Sequence, residues 1–143
     1  MDVDQQHELV AAARQLLRPH RVGDRLFGDV AAVVTSSEGH RFGGVCLDTA
    51  SGTGFCAEQA AAAAMVTAGQ YRIASVVAVS QDEEGALYVL PPCGSCREFL
   101  RQLDPANLDA TVLLGHGRAL RLRDLLPEHE WPQPEAATPP HPR

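Results

Sequence analysis

The sequence contains no lysine; all twelve of its basic residues are arginines. That absence excludes Schiff-base catalysis and the phosphate-gripping lysine of a Walker loop. Basic charge is short overall: eighteen acidic residues leave a formal net charge of −6. Gripping a nucleic-acid backbone calls for the opposite balance, so a free small molecule is the expected ligand. Aromatic residues are only 5% of the chain, too few for a platform that stacks single-stranded bases. No apolar run approaches the roughly 20 residues that span a bilayer. Residues 1–10 are polar and acidic and lack the basic and apolar regions of a secretion signal. A cytoplasmic setting with neither membrane nor nucleic-acid polymer is therefore expected. In that reducing setting the four cysteines are expected to serve a metal or catalysis rather than disulfides.

What is present suffices for one domain: 143 residues, 45% of them hydrophobic, can bury a respectable core. Leu9, Val10, Ala13, Leu16 and Leu17 recur at helical spacing before Pro19, predicting a first helix over residues 4–18. Strands are predicted at 29–36 and 41–47, where Gly43 and Gly44 permit close packing. After a Gly/Ser/Thr loop at 49–54, an Ala-rich helix is predicted over 56–67, with Gly69 as its cap. Residues 75–80 read as a strand with no polar face, covered on both sides. A polar turn at 81–86 follows, then a short apolar stretch at 87–90. A third helix is predicted at 93–103, two strands at 110–114 and 118–122, and a helical turn at 123–126. The order αββαβαββ implies an α/β fold whose mixed sheet has helices on both faces. One domain over 1–127 is expected, and a fraying Pro-rich tail over 128–143.

Two short segments carry chemistry. Cys56-Ala57-Glu58 opens one predicted helix, and Pro92-Cys93-Gly94-Ser95-Cys96 opens another. A Cys-x-x-Cys pair at a helix N-terminus puts two sulfurs within reach of one ion, and the exposed amides there favour thiolate. A third cysteine at a second helix start completes three protein ligands and leaves one tetrahedral position for water, as in a catalytic zinc site. Glu58, two residues beyond Cys56, comes close to that water without replacing it. Zinc brings the water's pKa towards neutrality, and Glu58 can carry its proton to a ring nitrogen and a leaving amine. Other readings stay open. The Cys-x-x-Cys can be a redox pair, Cys46 can be a fourth ligand of a structural zinc or simply a buried apolar residue, and Glu58 can be an ordinary exposed helix residue. The six histidines show no ligand spacing.

The joint pattern is the signature of the zinc deaminases. From about residue 27 to residue 126 the chain resembles the small cytidine deaminase family, whose free-nucleoside members use three cysteines. The resemblance implies a three-layer α/β/α sandwich with a mixed five-stranded sheet. It also implies one zinc per chain, hydrolysis of an aminopyrimidine nucleoside to the uracil form, and a homotetramer whose chains lend each other pocket residues. Phe27, in the segment Phe27-Gly28-Asp29-Val30-Ala31-Ala32-Val33, matches the family's pyrimidine-contacting phenylalanine. Cys46 and Asp48 stand where the family has an Asn-x-Glu pair that holds ribose and base. Ala57 completes the implied substrate contacts. The family often has an arginine directly after the catalytic glutamate; here that residue is Gln59, so Arg97, next to Cys96, becomes the candidate for offsetting thiolate charge. The ending Asp124-Leu125-Leu126-Pro127…Trp131 also looks like that of the blasticidin S deaminases, which act on a larger cytosine nucleoside. A metal assay of freshly purified protein is expected to find one zinc per chain, and its absence would count against every zinc reading.

Overall fold

The computed structural model describes residues 1–136; residues 137–143 of the expected tail lie outside the described residues. The chain runs α1 (Val3–Leu16), β1 (His20–Val22), β2 (Arg25–Phe27), β3 (Val30–Ser36), β4 (Arg41–Val45), α2 (Ala57–Thr67), β5 (Ile73–Gln81), β6 (Leu87–Val89), α3 (Gly94–Leu103), β7 (Thr111–Gly115) and β8 (Arg118–Arg121). Single 3-10 turns lie at Pro105–Asp109 and Leu122–Leu125. β1 and β2 form a separate hairpin turned at Gly23, whose φ is +62°. Its three-residue strands are too short to show a period, and the Gly23-Asp24 turn between them is the one local sign of the hairpin.

The main sheet has the order β4-β3-β5-β7-β8. Only β5 and β7 pair in parallel; the other neighbours are antiparallel. The mixed sheet of five therefore stands, with one addition: β6 pairs with the last three residues of β5, making a sixth strand. The parallel step from β5 to β7 needs a long crossover, and β6, α3 and the first 3-10 turn supply it.

Alternation along β3 and β5 sets the layers. Val33, Val77 and Val79 point one way and pack with Leu9 and Ala13 of α1. Ala32, Val34, Val76 and Ala78 point the other way and pack with Ala57, Ala61, Ala62 and Met65 of α2 and Leu100 of α3. The result is an α/β/α sandwich with α1 on one face and α2 and α3 on the other.

Two features hold α2 and α3 where they are. α2 sits hard against β4, because a Cβ at Gly44 would collide with the Ala61 backbone nitrogen and come within 2.6 Å of the Ala60 Cβ. Small residues on both surfaces permit that approach. The wholly buried Asn107 ties the end of α3 to the start of β5: its Oδ1 accepts from the Ile73 amide at 2.8 Å, and its Nδ2 donates to the carbonyls of Tyr71 and Leu100 at 3.0 and 2.9 Å. Gly44→Ala should overpack the α2–β4 contact and lower stability by about 1–3 kcal/mol. Urea unfolding monitored by circular dichroism will check this; an unchanged midpoint would show that α2 is free to shift.

Candidate metal centre and active site

Cys56 and Cys93 are the N-cap residues of α2 and α3, both with extended backbone. The chain reaches Cys56 through a loop closed by a two-way backbone pair between Leu47 and Phe55, each bond 3.0 Å. At Gly54 any Cβ would strike the Leu47 carbonyl, so that closure requires glycine. Pro91 and Pro92 deliver Cys93 to the start of α3, where its sulfur accepts from the Cys96 amide at 3.5 Å. The two helix starts converge. Cys56 Sγ lies 3.8 Å from Cys93 Sγ, Cys93 Sγ lies 3.4 Å from Cys96 Sγ, and all three sulfurs fall within 4.8 Å of one another. All four cysteines are free thiols.

Ligands at about 2.3 Å in a tetrahedron stand about 3.8 Å apart, so this set fits one zinc-sized ion. Three soft thiol donors with an exposed edge at Cys93 suit zinc chemistry rather than a hard cation. Cys46 is not a fourth ligand, since its thiol donates instead to Asp29 Oδ1 at 3.1 Å.

The electrostatics follow from crowding. Burial pushes Cys96 strongly upward, reinforced by the neighbouring Glu58 carboxyl. Burial also raises Cys56; the Cys96 thiol opposes the shift and Cys93 adds to it. At Cys93 burial works upward, but the Cys96 amide, then the Cys96 and Cys56 side chains and the Ser95 amide, outweigh it, and the pKa falls below the ordinary thiol value. Cys93 is thus the first thiol to ionise. Glu58, in the first turn of α2, is only 5% exposed. Burial raises its pKa and the Cys96 thiol beside it works against that shift. It is not the exposed helix residue that its position on an Ala-rich helix allowed.

Compared with solved structures, the chain is similar to the cytidine deaminase of Mycobacterium tuberculosis: 30% identical, covering 89% of this chain and 97% of that one, with a TM-score of 0.70. The E-to-Q variant of that enzyme matches at 28% identity over 88% and 98%, with a TM-score of 0.72. The cytidine deaminase of Burkholderia pseudomallei matches at 27% over 85% and 96%, with a TM-score of 0.69. The chain belongs to the cytidine deaminase family. It is accordingly a hydrolytic deaminase acting on a C–N bond. No sequence model of a known family matches it.

Against that family the remaining expected residues sort differently. Cys46 and Asp48 border a cavity of about 410 Å³ together with Asp29, Phe55 and Cys56. Asp29 and Phe55 are the residues that sequence reasoning missed; each reaches the cavity through long-range chain placement, and only Phe55's position directly before Cys56 hinted at it. Ala57 is fully buried and does not border this cavity. Phe27 lies half-buried in the β1–β2 hairpin, opposite His20, and does not border this cavity.

Arg97 needs correcting. Its Nε donates to the Pro92 carbonyl at 2.8 Å and its Nη1 to the Leu125 carbonyl at 3.0 Å. It clamps the approach to Cys93 onto the second 3-10 turn and makes no hydrogen bond to a cysteine sulfur. Consecutive helix residues point about 100° apart, so the residue after the buried Cys96 must aim elsewhere. Gln59 is the side chain that approaches: its Nε2 lies 3.9 Å from Cys96 Sγ and 3.3 Å from Ser95 Oγ.

The raised Glu58 pKa makes a stability prediction for metal-stripped protein. A carboxyl that binds its proton more tightly when folded stabilises the fold below its unfolded pKa, and that contribution is lost as pH rises through the folded value. Glu58→Gln should therefore be more stable than the wild type at neutral pH, with the gap closing in acid. A gap that persists or widens in acid, measured by thermal unfolding across pH, would contradict the assignment.

Proposed function

We propose that the protein is a zinc-dependent hydrolytic deaminase that converts an aminopyrimidine nucleoside of the cytidine type to its uracil form and releases ammonia. One observation carries the reading: a buried, readily protonated Glu58 beside three cysteine sulfurs that converge from two helix N-termini. Cys56, Cys93 and Cys96 would hold the zinc, which supplies Lewis acidity that lowers the pKa of a water towards neutrality.

Glu58 performs the proton transfers. Its carboxylate accepts a proton from the attacking water and delivers it to the ring nitrogen N3 as oxygen adds at C4. It then carries the second proton to the exocyclic amine, which leaves as ammonia while the C4 carbonyl forms. A carboxyl whose pKa lies above its ordinary value is suited to both roles near neutral pH. The Asp29–Asp48 side of the cavity would seat the rest of the substrate. Leu47 and Phe55 are exposed large apolar side chains at its border, a surface that a neighbouring copy in a homotetramer would cover. The free thiols suit a reducing, cytoplasmic location.

A second substrate, blasticidin S, is favoured by Cys46-Leu47-Asp48 in place of the family's Asn-x-Glu and by the resemblance of the ending around Leu126 and Trp131. Ammonia release from cytidine, cytosine and blasticidin S decides between them: turnover of cytidine is expected, and its absence would reject cytidine as the substrate. Glu58→Gln should cut the rate by at least about 100-fold, as losing a general acid–base does. A zinc-stabilised binding or redox module would instead be indifferent to that substitution.

A further inference from the structure

A cavity of about 280 Å³ lies on the α1 face of the sheet, between α1, β6 and the β7–β8 turn. The helices that carry the three cysteines pack on the opposite face. It shares no residue with the cavity beside Cys56 and does not include the Leu47 and Phe55 surface assigned above to a neighbouring copy.

Its walls are apolar. Val10 of α1, Leu87 and Val89 of β6 and Leu113 of β7 belong to the core cluster on that face. Gly115 lets the wall close: a Cβ there would come within 3.2 Å of the Val89 Cβ, and its φ of +87° favours glycine. His116 and Gly117, both at positive φ, make the two-residue turn between Gly115 and Arg118, as the twist of a hairpin requires. No arginine, aspartate or glutamate borders the cavity, so an ion would enter it without a partner. The walls select a neutral ligand.

One buried polar side chain interrupts them. Gln6 is only 7% exposed, and its amide donates to the Asp2 carbonyl at 3.1 Å in the first turn of α1. Its Nε2 reaches the Gly117 carbonyl at 3.5 Å, long for an N–H···O bond. Its Oε1 accepts no hydrogen bond from any described residue, yet it is not sealed from the surface. A carboxamide has two donor hydrogens and an acceptor oxygen, so one N–H and the C=O remain available side by side. That edge complements another amide edge through two parallel hydrogen bonds. A position that needed only to be filled would take an apolar side chain at less cost. Gln6 also borders a hollow beside Arg121 and Asp124, but those two pair with each other at 3.6 Å, and that charged rim does not suit a neutral ring.

We propose that the α1-face cavity is a second ligand site, separate from the metal centre, and that it binds a neutral, single-ring lactam. The N–H and C=O of the lactam pair with the Gln6 carboxamide, and the ring lies among Val10, Leu87, Val89 and Leu113. The volume is at the low end for small-molecule pockets and admits one ring with small substituents. The site stands independently of the deaminase reading.

The probe is 2-pyridone, and the control is N-methyl-2-pyridone, which keeps the ring and the carbonyl but lacks the N–H. Zinc-loaded protein is titrated with each and followed by two-dimensional NMR at the Gln6 side-chain amide and the Leu113 and Gly117 backbone amides. The pyridone should shift these signals saturably. The N-methyl compound should bind at least about tenfold more weakly, because it leaves the Gln6 oxygen unpaired. Gln6→Leu should abolish that preference. Absence of shifts at these positions means a cavity that holds only water and overturns the proposal. So do equal binding of the two compounds, shifts confined to the surroundings of Glu58, or a preference that survives in folded Gln6→Leu. Should Gln6→Leu fail to fold, the comparison of the two compounds on the wild type decides.

Discussion

Three cysteine sulfurs and one carboxyl gather within a few ångströms on α2 and α3, and among the described residues no side-chain cation is there to meet them. Gln59 offers only a neutral donor, and Arg97 is occupied with backbone carbonyls. What offsets the charge within the protein is the first turn of two helices, whose unpaired amides and dipoles point at the sulfurs. That offset is partial. It lowers the pKa of Cys93 alone, while burial raises those of Cys56, Cys96 and Glu58. A divalent cation held by these sulfurs would complete the balance and couple metal binding to thiol ionisation.

Much of the architecture serves that convergence. Two helices must begin side by side on the same face of the sheet. Gly44 lets α2 settle onto β4, Asn107 anchors the far end of α3 to β5, and the Leu47–Phe55 pair brings Cys56 to its cap position. α1, on the opposite face, seals the other side of β3 and β5 and touches none of the chemistry.

The chemical half of the site was legible in the sequence because it is local. The two-residue offset from Cys56 to Glu58 and the Cys-x-x-Cys spacing can be read directly from the sequence, whereas the burial of Glu58 could not, since its place on an Ala-rich helix also allowed an exposed residue. The layers were legible for the same reason, since Val33 and Val34 alternate as a two-sided strand must. The hairpin at residues 20–27 was missed because its three-residue strands are too short to show a period, although Gly23-Asp24 between them is a two-residue turn signal. Arg97 is next to Cys96 in sequence but not in direction, since its guanidinium donates to the Pro92 and Leu125 carbonyls. Asp29 was invisible as a site residue, because its meeting with Cys46 depends on how two strand ends pair across 17 positions.

The central claim is a three-sulfur metal centre with one position open. X-ray absorption at the zinc edge of freshly purified protein tests it most directly. The account predicts three sulfur neighbours at about 2.3 Å and one light oxygen or nitrogen scatterer. Four sulfurs, which would recruit Cys46 away from Asp29, or a shell with no sulfur at all, would contradict it.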